Sequence, residues 1–129
     1  MKLLATSDLH IGVKGNREAL LSVQKRPDDW LIVAGDVGET HEHMRFALGT
    51  LSERFGKVMW VPGNHELWTI NSEPNPGRGV ERYLRLVDTC RSLGVLTPED
   101  EWPVWPGDQS GTVLALLFLL YDYTFAPDD

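Results

Sequence analysis

Up to Gly94 the apolar residues follow two alternating rhythms. Short runs at residues 3–7, 30–34 and 57–61 read as strands, and WLIVA at 30–34 has the unbroken apolar character of a strand covered on both faces. Between the runs lies helical periodicity. Asn16 is placed to cap a helix over about residues 17–25 with Ala19, Leu20 and Val23 on one face. Thr40 is placed to cap a second, in which Met44, Leu48, Leu51 and Phe55 recur before Gly56 stops it. A loop rich in Pro, Asn and Gly at 71–79 precedes a third helix, with Val80, Tyr83, Leu84, Val87 and Cys90 inward and Gly94 at its end. Strands separated by such helices predict an α/β fold with a βαβαβ start, a mostly parallel sheet and right-handed crossovers.

After Gly94 the pattern changes. Val95 and Leu96 predict a fourth strand, and residues 104–105 and 112–121 predict a C-terminal hairpin around the turn at 107–111. The run at 113–121 is the most apolar of the chain, yet about half of the ~20 residues needed to cross a bilayer. Lys2 with three apolar residues after it makes no signal peptide. Left as an unpaired edge, the 113–121 strand predicts self-association or pairing with a complementing fragment.

Composition narrows the classes. The 129 residues hold 12 Lys plus Arg against 19 Asp plus Glu, and the resulting charge of −7 opposes non-specific binding to nucleic acid or to an anionic membrane surface. With Cys90 as the single cysteine there is no intrachain disulfide and no multi-cysteine zinc site, so a cytoplasmic setting is the expectation. The sequence shows no internal repeat and no domain boundary.

The residues with chemical potential fall at equivalent places. Asp8 and His10 follow the first predicted strand, Gly35 and Asp36 the second, and Gly63, Asn64, His65 and Glu66 the third, with 28 residues from Asp8 to Asp36 and again from Asp36 to Asn64. In an open parallel sheet the C-terminal strand ends share one rim, so these loops bring two carboxylates, two imidazoles and a carboxamide together. An Asp-x-His pair in an extended loop turns both side chains one way, so Asp8 and His10 face one ion. A carboxylate can bridge two cations, which suits Asp36 between the other loops, and the neutral Asn64 oxygen completes a second site without adding charge. Mixed oxygen and imidazole donors suit Mn, Fe, Zn or Ni, and the sequence does not choose among them. Two ions about 3.5 to 4 Å apart can hold a hydroxide for in-line attack on phosphorus. His65 is then placed to hydrogen-bond or protonate the leaving group.

In this order and at these spacings, D-x-H, G-D and G-N-H-E resemble the first three motifs of the calcineurin-like metallophosphoesterases. The strings DDWLIVAGDV, VMWVPGNHELWT and LFLLYDYTF are similar to an actinobacterial branch of that family that includes a phosphopantetheinyl hydrolase. The resemblance implies the first half of an αββα sandwich and a centre of two divalent ions, Mn, Fe or Zn. Asp8 and His10 would bind the first ion, Asp36 would bridge, Asn64 would bind the second, and His65 would serve the leaving group. The implied activity is hydrolysis of a phosphodiester, with release of 4′-phosphopantetheine from holo acyl carrier protein; the alternative is a general phosphomonoesterase or nucleotide phosphodiesterase. The family completes its centre with a later His and a final Gly-His-x-His, and no histidine follows His65. The expectation is therefore one partial domain over residues 1–129, and a third reading is a non-catalytic fragment without a complete centre.

Other residues have plainer expectations. His41 and His43, in Thr-His-Glu-His, open a helix in which residues two apart do not face each other, so they are expected in a solvated first turn. Trp60, Trp68, Trp102 and Trp105 are expected to pack, with substrate contact the alternative for Trp68. Cys90 is expected in the core. Arg78, Arg82 and Arg85 are expected on a solvated face, with an acidic carrier protein the alternative partner.

Overall fold

A computed structural model describes residues 1–119 of the chain. Three strands, β1 (Leu3–Thr6), β2 (Arg26–Ala34) and β3 (Phe55–Val61), pair in parallel in the order β1-β2-β3. The crossovers are α1 (Asn16–Leu21) and α2 (His41–Ser52), and α3 (Asn64–Leu67) and α4 (Gly79–Ser92) follow β3. The predicted βαβαβ start is thus present, and it places the ends of all three strands on one rim. Leu31, Val33, Val58 and Trp60 from the sheet close against Met44, Ala47, Leu48 and Leu51 of α2 and Leu86 and Cys90 of α4, all buried in one cluster. The Thr40 hydroxyl accepts from the His43 N–H at 3.1 Å, which is the predicted cap of α2.

Several expectations need correcting. The first helix is only six residues long, and its cap position is Gly15, with φ of 91°. Asn16 instead donates from Nδ2 to the carbonyls of Leu9 at 2.9 Å and His10 at 3.1 Å, so its side chain holds a loop rather than a helix end. α2 ends at Ser52, and Phe55 begins β3 because the helical stripe is already complete at Leu51. α4 is rotated from the predicted face: Val80 and Leu84 are exposed, while Arg82, Leu86, Thr89 and Cys90 point inward. Arg82 stands four residues before Leu86 and eight before Cys90, so it shares the buried stripe despite its charge.

The region after Gly94 is less regular than predicted. Leu96 makes one parallel bridge to Met59, accepting the Trp60 N–H at 2.8 Å and donating to the Val58 carbonyl at 3.0 Å. The hairpin reduces to one antiparallel bridge between Val104 and Val113. Pro103 and Pro106 remove two N–H donors that a ladder needs there. Residues 114–119 form no strand, and residues 120–121 of the expected hairpin lie outside the described residues. Among the described residues no helix is long and apolar enough to cross a membrane.

The rotation of α4 can be checked directly. Leu86→Ala removes a fully buried side chain and is expected to lower unfolding free energy by about 3 kcal/mol in a urea titration. Leu84→Ala removes one that is 48% exposed and should cost under about 1 kcal/mol. The opposite ranking would restore the face read from the sequence.

Candidate metal centre

Backbone hydrogen bonds lock the loops beyond the strand ends. Asp8 N–H donates to the Gly35 carbonyl at 3.1 Å, His10 N–H to that of Asp36 at 3.0 Å, and Ile11 N–H to that of Val37 at 3.0 Å. Asp8, His10 and Asp36 all have positive φ, at 57°, 41° and 53°. That region costs a non-glycine residue roughly 1–2 kcal/mol, although Asp and His tolerate it better than most. The Asp-x-His segment is therefore not extended as expected. Two left-handed residues, rather than strand alternation, turn both side chains to one side, with Asp8 Oδ1 3.7 Å from His10 Nε2. One ligand atom each from Asp8, His10 and Asp36 lies within 4.8 Å of the others. Two carboxylates and an imidazole at this spacing fit a divalent ion of the Mn, Fe or Zn type.

Glu66 holds the second and third loops together, and the sequence reading gave it no role. Its fully buried carboxylate accepts four donors: Val37 N–H at 2.8 Å and the Trp60 indole N–H at 3.5 Å on Oε1, and Gly63 N–H at 3.0 Å and Asp36 N–H at 3.1 Å on Oε2. Burial pushes this carboxyl above its ordinary value, and the hydrogen bonds from Val37, Trp60 and Asp36 oppose that shift. The loops approach more closely than side chains allow. A Cβ on Gly63 would lie 2.1 Å from Asp36 Oδ1, and one on Gly35 2.5 Å from Gly63 N. The signal for Glu66 was its place three residues after Gly63 at the start of a helix, where a glutamate reaches back to a free N–H.

His65 stands beside the acidic pair. Its N–H donates to Asp36 Oδ1 at 3.2 Å, and its Nδ1 lies 3.3 Å from Glu39 Oε1. Its ring meets the His10 ring edge-on, with centroids 4.9 Å apart, and lies against the Trp68 ring at 3.9 Å. Trp68 is 45% exposed and so is a wall of the site, whereas Trp60 is the packing residue expected. Asn64 opens α3 and is exposed, one residue before His65. The structure thus brings Asp8, His10, Asp36 and His65 into one place, with Asn64 adjacent in the chain.

Behind the site, Arg82 ties further segments to it. The buried guanidinium donates from Nε to the Glu66 carbonyl at 2.6 Å, from Nη1 to Glu73 Oε2 at 2.9 Å and the Pro76 carbonyl at 2.7 Å, and from Nη2 to the Glu39 carbonyl at 2.5 Å. It is not part of a solvated face, while Arg78 and Arg85 are at the surface or half-buried. Nor are the two helix-opening histidines solvated: His41 pairs through Nδ1 with Glu73 Oε1 at 2.8 Å, and His43 Nδ1 accepts the Glu39 N–H at 3.2 Å. Cys90 is core as expected, and burial pushes its thiol well above the usual range.

The sequence model of the family described as calcineurin-like phosphoesterase matches residues 1–119. The chain is 50% identical over 127 residues to acyl-carrier-protein phosphodiesterase PptH of Mycobacterium tuberculosis, covering 98% of this chain and 39% of that protein. The crystal structure of phosphopantetheinyl hydrolase (PptH) from Mycobacterium tuberculosis superposes with a TM-score of 0.91 at 49% identity, over 98% of this chain and 46% of that one. The chain therefore spans less than half the length of these relatives.

The Glu73 pair gives stability a pH signature. Burial raises the Glu73 carboxyl, but hydrogen bonds from the His41 N–H, the Arg82 guanidinium and the His41 ring outweigh it, and the net direction is downward. A carboxyl lower in the folded than in the unfolded state stabilises above its unfolded pKa, about 4.3, and that contribution fades as pH falls through the lower folded value. Urea midpoints from pH 7 to pH 3 should fall more steeply in the wild type than in Glu73→Gln; parallel curves would remove Glu73 from the account.

Proposed function

Because the chain belongs to the calcineurin-like phosphoesterase family, we propose that it carries the first part of a divalent-metal phosphodiesterase that releases 4′-phosphopantetheine from holo acyl carrier protein. The observation that carries this reading is the convergence of Asp8, His10 and Asp36 within 4.8 Å, beside a His65 whose Nδ1 faces Glu39. The substrate follows from the 50% identical relative, which is named for an acyl-carrier-protein phosphodiesterase.

In this reading Asp8 and His10 would hold one ion, Asp36 would contribute a carboxylate to it and to a second, and Asn64 would serve the second. Divalent ions in such a site, when bound, neutralise charge on the phosphoryl oxygens and make water a better nucleophile near neutral pH. The chain's own residues do the rest. The His65 N–H fixes one Asp36 oxygen, so the carboxylate is oriented before any ligand arrives. Glu39 at Nδ1 orients the ring, so that Nε2 is the nitrogen turned to the departing oxygen to give it a proton. Water adds its OH to phosphorus and releases its other proton to solvent, the bond from phosphorus to the carrier's oxygen breaks, and the carrier's oxygen leaves with the proton from His65, which solvent then replaces. Trp68, whose ring lies tilted against His65 with centroids 3.9 Å apart, keeps that ring in place and covers part of one face.

Mass spectrometry of a holo carrier protein incubated with the enzyme and Mn²⁺ should show loss of the 4′-phosphopantetheine mass. His65→Asn should slow this by about 10²- to 10⁴-fold, and Asp36→Ala should abolish it. Turnover of small aryl phosphates with the holo carrier untouched would replace the proposed substrate with a general phosphoesterase activity. Full turnover by Asp36→Ala would overturn the site.

A further inference from the structure

His43 is absorbed neither by the metal cluster nor by the core. It lies in the first turn of α2, packed so closely under two loops that a Cβ on Gly12 would sit 2.9 Å from its Cε1 and one on Gly38 2.5 Å from its Cβ. Its Nδ1 accepts the Glu39 N–H at 3.2 Å. A backbone N–H has only a proton to offer, so Nδ1 is the unprotonated nitrogen of the neutral ring and the proton resides on Nε2. His43 therefore presents a donor, not a lone pair, which disqualifies it as a metal ligand in this orientation. Among the described residues Nε2 has no protein partner and is not a buried orphan. The ring lines a cavity of about 320 Å³ together with His10, Gly12, Val13, Gly38 and Glu39. His10 belongs to the metal cluster and Glu39 to the His65 pair, so the cavity adjoins both. The positive end of the twelve-residue α2 lies at the same place, since Gly38 and Glu39 directly precede its cap, Thr40.

We infer that His43 is a binding residue for the phosphoester: its Nε2–H donates to a phosphoryl oxygen in the cavity it shares with His10 and Glu39. This rests on the phosphoesterase reading above. The imidazole N–H beside a helix N-terminus offers a donor to an anionic oxygen, no side-chain cation lines the cavity to do so instead, and the one carboxylate that lines it, Glu39, is engaged at His65 Nδ1.

The probe is inorganic phosphate, added to the metal-loaded protein. Ring ¹⁵N spectra should show His43 as the Nε2–H tautomer before phosphate is added, and its Nε2 resonance should move as phosphate saturates. His43→Asn keeps an acceptor for the Glu39 N–H but loses the donor. Its phosphate affinity should fall about tenfold or more with metal content unchanged. A proton on Nδ1, an unmoved Nε2 at saturation, or equal phosphate affinity in His43→Asn would each overturn the inference. Failure of the metal-loaded wild type to bind phosphate at all would overturn the phosphoesterase reading with it. Should His43→Asn be unstable, the tautomer and the Nε2 shift in the wild type decide alone.

Discussion

The carboxylate of Glu66 is the constraint on which the site rests. A fully buried carboxylate without partners costs several kcal/mol, and this one accepts four N–H donors, three from the backbone of the loops after β2 and β3. Hydrogen bonds to a charged group contribute about 1.5–3 kcal/mol each. That is the order needed to offset left-handed backbone at Asp8, His10 and Asp36, which costs roughly 1–2 kcal/mol per residue. Strain is concentrated where the ligand atoms converge, and the donors that offset it lie directly beneath. The two glycines at the crossing complete the arrangement, because any side chain at Gly63 would strike the Asp36 carboxylate.

A second layer connects this centre to the rest of the fold. Arg82 reaches from α4 to carbonyls of Glu39 and Glu66, the residues that respectively pair with His65 and hold the loops. Through Glu73 it also fixes the segment that follows Trp68. The position of the His65 ring is thus set from three sides: Asp36 through the backbone, Glu39 at Nδ1, and Trp68 on its face. Such over-determination is what a proton donor needs, since misplacement by about 1 Å can cost 10²-fold in rate.

Much of this was legible in the sequence. Three apolar runs spaced by helical patterns were enough for the parallel sheet, and its common rim then placed Asp8, His10, Asp36 and His65 together. What escaped has a common cause, in that polar side chains were working inward. Hydrophobic periodicity reads Arg82 as surface, yet Arg82 is buried against carbonyls, and α4 turns so that Leu84 faces out. The same periodicity assigned Asn16 to a helix cap, while its amide binds two carbonyls of the Asp-x-His loop. Glu66 and Glu39 meet partners 29 and 26 residues away in the chain, a separation no spacing rule reports, and His43 accepts the N–H of Glu39 through its ring rather than facing solvent. Pro103 and Pro106 were the visible warning against a regular hairpin.

The central claim is that Asp8, His10 and Asp36, held by the locked loops, bind a divalent ion. Elemental mass spectrometry of the purified protein after equilibration with Mn²⁺ and dialysis tests it most directly. The account predicts at least about one ion per chain in the wild type and none retained by a folded Asp36→Ala variant. Equal metal content in the two proteins, or none in the wild type, would contradict it.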